Sequence, residues 1–232
     1  MMLFVAEIGM NHDGNFDLAY ELIRQAKFAG ADIAKFQFGW RDKLGEINQI
    51  DLGRAKQLKE WCQYLEIEML ASLITEDALE LARAINLPRY KIASRTVAEK
   101  PGLCREILSD GKETFVSLGM WDAPEWPFGP PSNRLHYIYC RSKYPTYPHD
   151  LLDFPANFSP EAFYGYSDHC HGISACLVAV GRGAQFIEKH FTLNKNSQVI
   201  RDHTLSAIPD EFAELTRIGG EINRLAKALN IP

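Results

Sequence analysis

Two apolar runs of this chain end in a histidine. Gly165-Tyr166-Ser167-Asp168-His169 and Phe186-Ile187-Glu188-Lys189-His190-Phe191-Thr192 both read as buried strands. Side chains alternate faces along a strand, so Ser167 and His169 share one face, and Glu188 and His190 share another, with Ile187, Lys189 and Phe191 opposite. Two imidazoles then converge on one strand-end rim. Such a pair suits a divalent metal ion that keeps positions open for substrate. The competing reading is a pair of hydrogen-bonded core histidines. Cys170 and His171 follow His169 directly; both are expected to be passive loop residues rather than a nucleophile or a further ligand.

Other strands carry polar residues where an apolar run is the norm. Glu7 lies in the first strand, and Lys35 and Gln37 share a face of the second. Ser72 ends the third, Lys91 and Ser94 lie in the fourth, Ser117 ends the fifth, and Ser167 precedes His169. A charge buried without a partner is costly, so Glu7, Lys35, Lys91 and Glu188 must pair with each other or with a ligand. Each alone is as well explained by a structural ion pair. As a set, two lysines and several hydroxyls on one rim describe an anion site for phosphate or carboxylate, with Glu7 and two histidines available for a proton and a metal.

The elements that must position these groups alternate regularly. The patterning predicts strands over Met2–Gly9, Ile33–Phe38, Glu68–Leu73, Arg89–Arg95, Glu113–Gly119, Leu135–Cys140, Tyr164–His169 and Gln185–Phe191. Helices are predicted over Asp17–Gly30, Ala55–Glu66, Glu76–Ile85, Pro101–Ser109, Ile173–Val180 and Pro209–Leu229. This grammar matches an α/β (β/α)8 TIM barrel better than a doubly wound sheet, because no glycine-rich dinucleotide loop follows the first strand. The stretch from Met120 to Pro131 is too rich in proline for a full helix, so the fifth helix is expected to be irregular or missing. Trp121, Trp126 and Phe128 in that stretch are expected either to cover the gap or to form a contact between subunits.

The runs Ala6-Glu7-Ile8-Gly9-Met10-Asn11-His12-Asp13-Gly14, Ala34-Lys35-Phe36-Gln37, Tyr90-Lys91-Ile92-Ala93-Ser94, Gly165 to His169 and Ile187 to Thr192, in that order, resemble the N-acetylneuraminate (sialic acid) synthase family. That family also makes legionaminic and pseudaminic acids. The resemblance implies condensation of phosphoenolpyruvate with an open-chain N-acylated amino sugar, N-acetylmannosamine or a related aldose, to give a 2-keto-3-deoxy sugar acid and free phosphate. It also implies a divalent ion, Mn2+ first, with Mg2+ or Co2+ as alternatives. Residue by residue, it puts metal ligation on His169 and His190, and phosphoenolpyruvate binding on Lys35, Ser72, Lys91, Ser94, Ser117 and Ser167. Glu7, Gln37, Tyr144 and Asp202 match positions facing the sugar or the reacting atoms, with Glu7 the candidate for ordering water or moving its proton.

The departures fall on the sugar side. Thr96 stands where the family has a glutamate, Arg95 where it has a small residue, and Ser142 where it has an asparagine. The family's full-length members continue into a small antifreeze-like domain that lends an arginine to the neighbouring subunit. That part has no counterpart here, and Arg141 and Lys143 are the expected local substitutes. A homodimer would then need a surface other than that domain. These departures keep two alternatives open: condensation or aldol chemistry with a smaller aldehyde, and a barrel that binds sugar or phosphate without turnover.

The 232 residues suit one domain over 1–232, since such barrels commonly run to roughly 250 residues. A net charge of −5 with acids and bases interspersed gives no stripe for nucleic acid, and no run approaches membrane-spanning length. The apolar start is broken by Glu7, so it reads as a strand rather than a leader. Five cysteines without a CxxC argue for reduced thiols and a cytoplasmic location.

Overall fold

The computed structural model describes residues 2–39, 46, 48–197 and 199–229. Strands β1 (Leu3–Gly9), β2 (Ile33–Phe38), β3 (Glu68–Leu73), β4 (Arg89–Ile92), β5 (Glu113–Ser117), β6 (Leu135–Cys140), β7 (Phe163–Asp168) and β8 (Phe186–His190) pair in chain order. Every pairing is parallel and β8 closes on β1, giving the eight-stranded barrel that the alternation predicts.

The helices form where caps and apolar stripes coincide. In α1 (Phe16–Phe28), the Asn15 side chain accepts from the Asp17 and Leu18 amides, while Ala19, Leu22, Ile23 and Ala26 turn inward. Asp51 and Thr75 cap α2 (Leu52–Tyr64) and α3 (Glu76–Ala84) in the same way. The closing helix α7 (Pro209–Ala228) has proline in its first turn, and the Glu211 carboxylate accepts from the Ile208 amide at 3.1 Å. Among the described residues no helix is long and apolar enough to cross a membrane.

Two connections depart from the expected pattern. The strand predicted over Arg89–Arg95 stops at Ile92, and Ser94–Glu99 forms the short helix α4 before α5 (Pro101–Ser109). β-branched Thr96 and Val97 mimic strand composition there, but the Ser94 hydroxyl accepts the Gly119 amide at 2.9 Å and turns the chain out of the sheet. The helix after β5 is missing as expected. The β6–β7 connection is helix-free as well, apart from one 3-10 turn at Pro148–Asp150. Pro145, Pro148, Pro155 and Pro160 remove the donors a helix would need.

Aromatic side chains cover the helix-free wall. Trp126 stacks on Tyr137 with ring centroids 4.5 Å apart and meets Phe163 edge-on, and Trp121 and Phe128 pack against the same core. The Tyr137 hydroxyl donates to the Gly129 carbonyl at 2.9 Å and accepts the Phe128 amide, pinning the loop down. The folded-back cover, rather than a free aromatic surface, is thus the observed state of this loop. α6 (Ser174–Gly181) and α7 restore the helical shell outside β7 and β8.

Inside the barrel the lower layer is apolar: Val5, Ile33, Leu70, Phe115, Ile138 and Phe186 pack together. Below it, Arg89 bridges Glu68 at 2.7 Å and Glu113 at 3.2 Å. This floor seals one end. Each strand then presents its next inward residue, two positions on, toward the carboxyl end.

Candidate active site

Strand register brings the buried charges together. Glu7 of β1 is level with Lys35 of β2 and with His190 of β8; Gln37 is level with Ser72, Ser72 with Lys91, and Ser167 with Glu188. The Glu7 carboxylate has room because Gly9 adopts a positive φ of 55°, and a Cβ there would lie 3.0 Å from Glu7 Oε1.

The resulting network alternates in sign. Lys35 Nζ lies 2.6 Å from Glu7 Oε2 and 3.7 Å from Glu188 Oε2, and Lys91 Nζ lies 3.8 Å from the same Glu188 oxygen. All four side chains are buried. Hydroxyls and an amide complete their shells: Lys35 donates to Ser72 Oγ at 3.1 Å, Lys91 to Ser117 Oγ at 2.5 Å, Ser167 to Glu188 Oε1 at 2.8 Å, and Gln37 to Glu7 Oε1 at 2.9 Å. This pairing is what makes four charges tolerable inside a barrel.

The same pairing sets the protonation states. Burial alone would push Glu188 up, but Lys35, Lys91 and the Ser167 hydroxyl outweigh it and hold the carboxyl down at about 2. Burial opposes the charge of Lys35 too, yet Glu188 and Glu7 together raise it. Burial dominates at Glu7, whose carboxyl is raised although Lys35 opposes the shift, and at Lys91, which is lowered. Glu7 is therefore the carboxyl most ready to take a proton, and Lys91 the ammonium most in need of an anion.

The two histidines stand at the rim with ring centroids 5.3 Å apart. His169 Nδ1 lies 2.6 Å from the Arg141 carbonyl oxygen, to which it donates, so Nε2 carries the lone pair. Burial lowers the pKa of His190 and keeps its ring neutral. Its Nδ1 is 3.9 Å from Asp202 Oδ2 and makes no hydrogen bond within the described residues. Tyr144 packs on His169 with centroids 4.1 Å apart, and burial raises its pKa, so it remains a phenol. Asp202 is carried by a 3-10 turn, Arg201–Leu205, held in place where His203 meets Thr192 Oγ1 at 2.7 Å and Asp13 Oδ1 at 3.0 Å.

One cavity of about 440 Å3 at the carboxyl end of the strands is lined by Glu7, Lys35, Gln37, Ser72, Lys91, Ser94, Ser117, Tyr144, Ser167, His169, Glu188 and His190. Of the site residues expected from sequence, Asp202 alone is not part of that lining; it stands behind His190. A cavity of about 500 Å3 lies on the outer wall beside Tyr147, Leu151 and Val178. The two are similar in size, yet none of the expected site residues faces the outer one, so the chemistry and not the volume selects the site.

The geometry refines several of the expected positions. Cys170 faces the outer cavity and packs against the Tyr166 hydroxyl, whereas Cys140, unremarked in the sequence, lines the inner one with its Sγ 3.8 Å from His169 Nδ1. Period two from inward-facing Ile138 is the signal that would find it. His171 meets the Thr204 carbonyl and borders the outer cavity, not the inner one. Thr96 is buried away from the lining, while Arg95 reaches the mouth. Arg141 and Lys143 line the mouth but are engaged by Asp153 and Asp150. Arg201, also missed, lies over the Tyr144 ring at 4.3 Å.

The donors at the rim bear on metal chemistry. Among the described residues no group of three or more His, Cys, Asp or Glu side chains is arranged to hold an ion. Two imidazole nitrogens, one set free by a backbone hydrogen bond and one kept neutral by burial, fit an ion that takes its other ligands from substrate and water.

Residues 42–230 match the NeuB family. The chain belongs to that family. This NeuB-family chain is 30% identical over 260 residues to the N-acetylneuraminate-9-phosphate synthase of Mus musculus, covering 98% of the chain and 71% of that protein. It is 32% identical over 231 residues to an uncharacterized protein of Methanocaldococcus jannaschii, covering 91% and 68%. The N,N'-diacetyllegionaminic acid synthase of Legionella pneumophila is 30% identical over 250 residues, covering 92% and 70%. Among solved structures, the N-acetylneuraminic acid synthetase of Leptospira borgpetersenii in complex with citrate superposes with a TM-score of 0.84 at 27% identity, covering 97% of this chain and 84% of that one. The barrel of this NeuB-family chain thus shares its fold with the Leptospira synthetase.

Proposed function

We propose that the chain catalyses condensation of phosphoenolpyruvate with an open-chain aldose, giving a 2-keto-3-deoxy sugar acid and inorganic phosphate. The observation that carries this reading is the buried alternation of Glu7, Lys35, Glu188 and Lys91 beside two imidazoles in one cavity. Sequence likeness to sialic, legionaminic and pseudaminic acid synthases supports it.

Lys35 and Lys91 hold the anionic groups of phosphoenolpyruvate as fixed charges in a site screened from water, and the hydroxyls of Ser72, Ser94, Ser117 and Ser167 supply short, orientable hydrogen bonds. C3 of phosphoenolpyruvate forms the new carbon–carbon bond to the aldehyde carbon. Water then adds to the cationic C2, one of its protons passing by way of Glu7 to the former aldehyde oxygen, and the other leaving with the phosphate as the bond from C2 to the phosphate oxygen breaks and the ketone forms. Glu7 takes the proton of that water; burial has already raised its proton affinity, and Gln37 fixes its orientation. Tyr144 faces the acceptor end beside His190, and Asp202, behind the ring at 3.9 Å, supplies a negative charge next to it. A divalent ion held by His169 and His190, Mn2+ or else Mg2+ or Co2+, would supply Lewis-acid polarisation of the aldehyde.

The deciding experiment is phosphate release from phosphoenolpyruvate over a panel of aldoses, with and without Mn2+. Release that requires both an aldose and the ion is the expected result. Absence of release with every aldose would overturn the reading in favour of a binding barrel. Arg141 and Lys143 at the mouth are already engaged by Asp153 and Asp150, which favours as second reading an acceptor smaller than N-acetylmannosamine.

A further inference from the structure

The residues adjoining the two rim histidines form a second ion pair with its own task. Strand alternation turns His169 and His190 into the cavity and turns Asp168 and Lys189, one position earlier on each strand, to the outer wall. There Lys189 Nζ lies 2.8 Å from Asp168 Oδ2, and both side chains are fully buried. The carboxylate is saturated: Oδ1 accepts the Tyr166 hydroxyl at 2.7 Å and the Cys170 amide at 2.9 Å, and Oδ2 accepts the Cys176 thiol of α6 at 3.4 Å. Lys189 also donates to the Cys170 carbonyl. The residues on either side of His169 are thereby tied to the residue preceding His190.

We propose that Asp168 and Lys189 are a positioning pair whose clasp across β7 and β8 sets the separation and tilt of the His169 and His190 rings. A buried ion pair contributes little net stability against an apolar replacement, so stability alone does not account for placing one between these two strand ends. The geometry does. His169 lies just beyond the end of β7, where its carbonyl accepts the Thr146 amide at 2.9 Å on the side away from β8. The clasp supplies the constraint on the β8 side, through the Cys170 amide and carbonyl. Most of the proposed phosphoenolpyruvate groups stand on other strands, and the one on β7, Ser167, faces the cavity and donates to Glu188 rather than to the clasp. The functional consequence, though not the clasp itself, rests on the reaction proposed above.

The test removes both charges together, with Asp168→Asn and Lys189→Met, so that no lone buried ion threatens folding. In carbon-13 histidine-labelled protein, the His169 and His190 ring resonances are expected to move while those of His12 and His136 stay. The turnover rate is expected to fall ~10-fold or more, since small misplacements of reacting groups carry large rate costs, with KM for phosphoenolpyruvate changed less than about twofold. Asp168→Glu, which keeps both charges but lengthens the carboxylate by one methylene, serves if the double variant fails to fold and should move the same two resonances. Unmoved His169 and His190 resonances with an unchanged rate would overturn the clasp, whatever happens to the melting temperature. Absent turnover in the wild type would overturn the proposed reaction and leave the ring resonances to decide the clasp.

Discussion

Replacing Lys91 by methionine isolates the anion-holding role. The substitution keeps the stem and removes an ammonium that donates to Ser117 at 2.5 Å and faces Glu188 at 3.8 Å from a fully buried position. Loss of one charge-assisted hydrogen bond in such a site costs about 2 kcal/mol, which is a weakening of phosphoenolpyruvate binding by roughly 30-fold. Lys91 is the better choice of the two lysines. Lys35 is bonded to Glu7 at 2.6 Å, so its removal would strand a buried carboxylate and confuse folding with binding. Glu188 keeps Lys35 at 3.7 Å when Lys91 is lost. Burial lowers the Lys91 pKa and an arriving anion opposes that shift, and titration calorimetry reads the affinity directly. Equal affinity in wild type and variant would show that Lys91 is part of the wall and not of the site.

His169→Ala and His190→Ala should each abolish stimulation by divalent ions while the melting temperature stays within a few degrees of wild type, since strand-end residues of this fold serve function more than stability; metal-dependent turnover retained in both would refute the assignment. Discrimination among aldoses should be loose, because each hydrogen bond that an acceptor pocket fails to offer its sugar costs about 1 kcal/mol or more. A strong preference in kcat/KM for N-acetylmannosamine would instead show that Arg141, Lys143 or Arg201 has taken over the role. Away from the chemistry, burial lowers His12 to about 4, so the unfolded chain binds its proton first as the pH falls below the ordinary 6.5. Stability should therefore drop by about 2 kcal/mol between about pH 7 and about pH 5, and His12→Gln should flatten that limb in urea melts; an unchanged slope would refute it.

Period-two patterning makes the inner face of the barrel readable in advance, because a lysine or glutamate amid Ile, Val and Phe has few places to go but a shared polar layer. Lys35, Lys91, Glu7 and Glu188 are legible for that reason. The residues missed answer to other rules. Arg201 reaches the site from a turn whose position depends on Thr192, His203 and Asp13 meeting across distant loops, which no local pattern encodes. Ser94 reads as strand because Thr96 and Val97 favour one; a tertiary hydrogen bond to Gly119 decides otherwise. Cys140 obeys the period but is small and apolar enough to pass as core.

The arc of the barrel without helices divides the site into halves built on different principles. Lys35, Ser72 and Lys91 rise from strands backed by α2, α3, α4 and α5, whereas Arg141, Ser142, Lys143 and Tyr144 ride on a proline-rich connection with no helix behind it. Substitutions in that connection need satisfy no helical packing, so, on the proposed reaction, the side assigned to the acceptor can drift in sequence while the side assigned to phosphoenolpyruvate is held by its surroundings. A lineage could trade one sugar for another here without first disturbing the half of the catalyst that every such reaction shares.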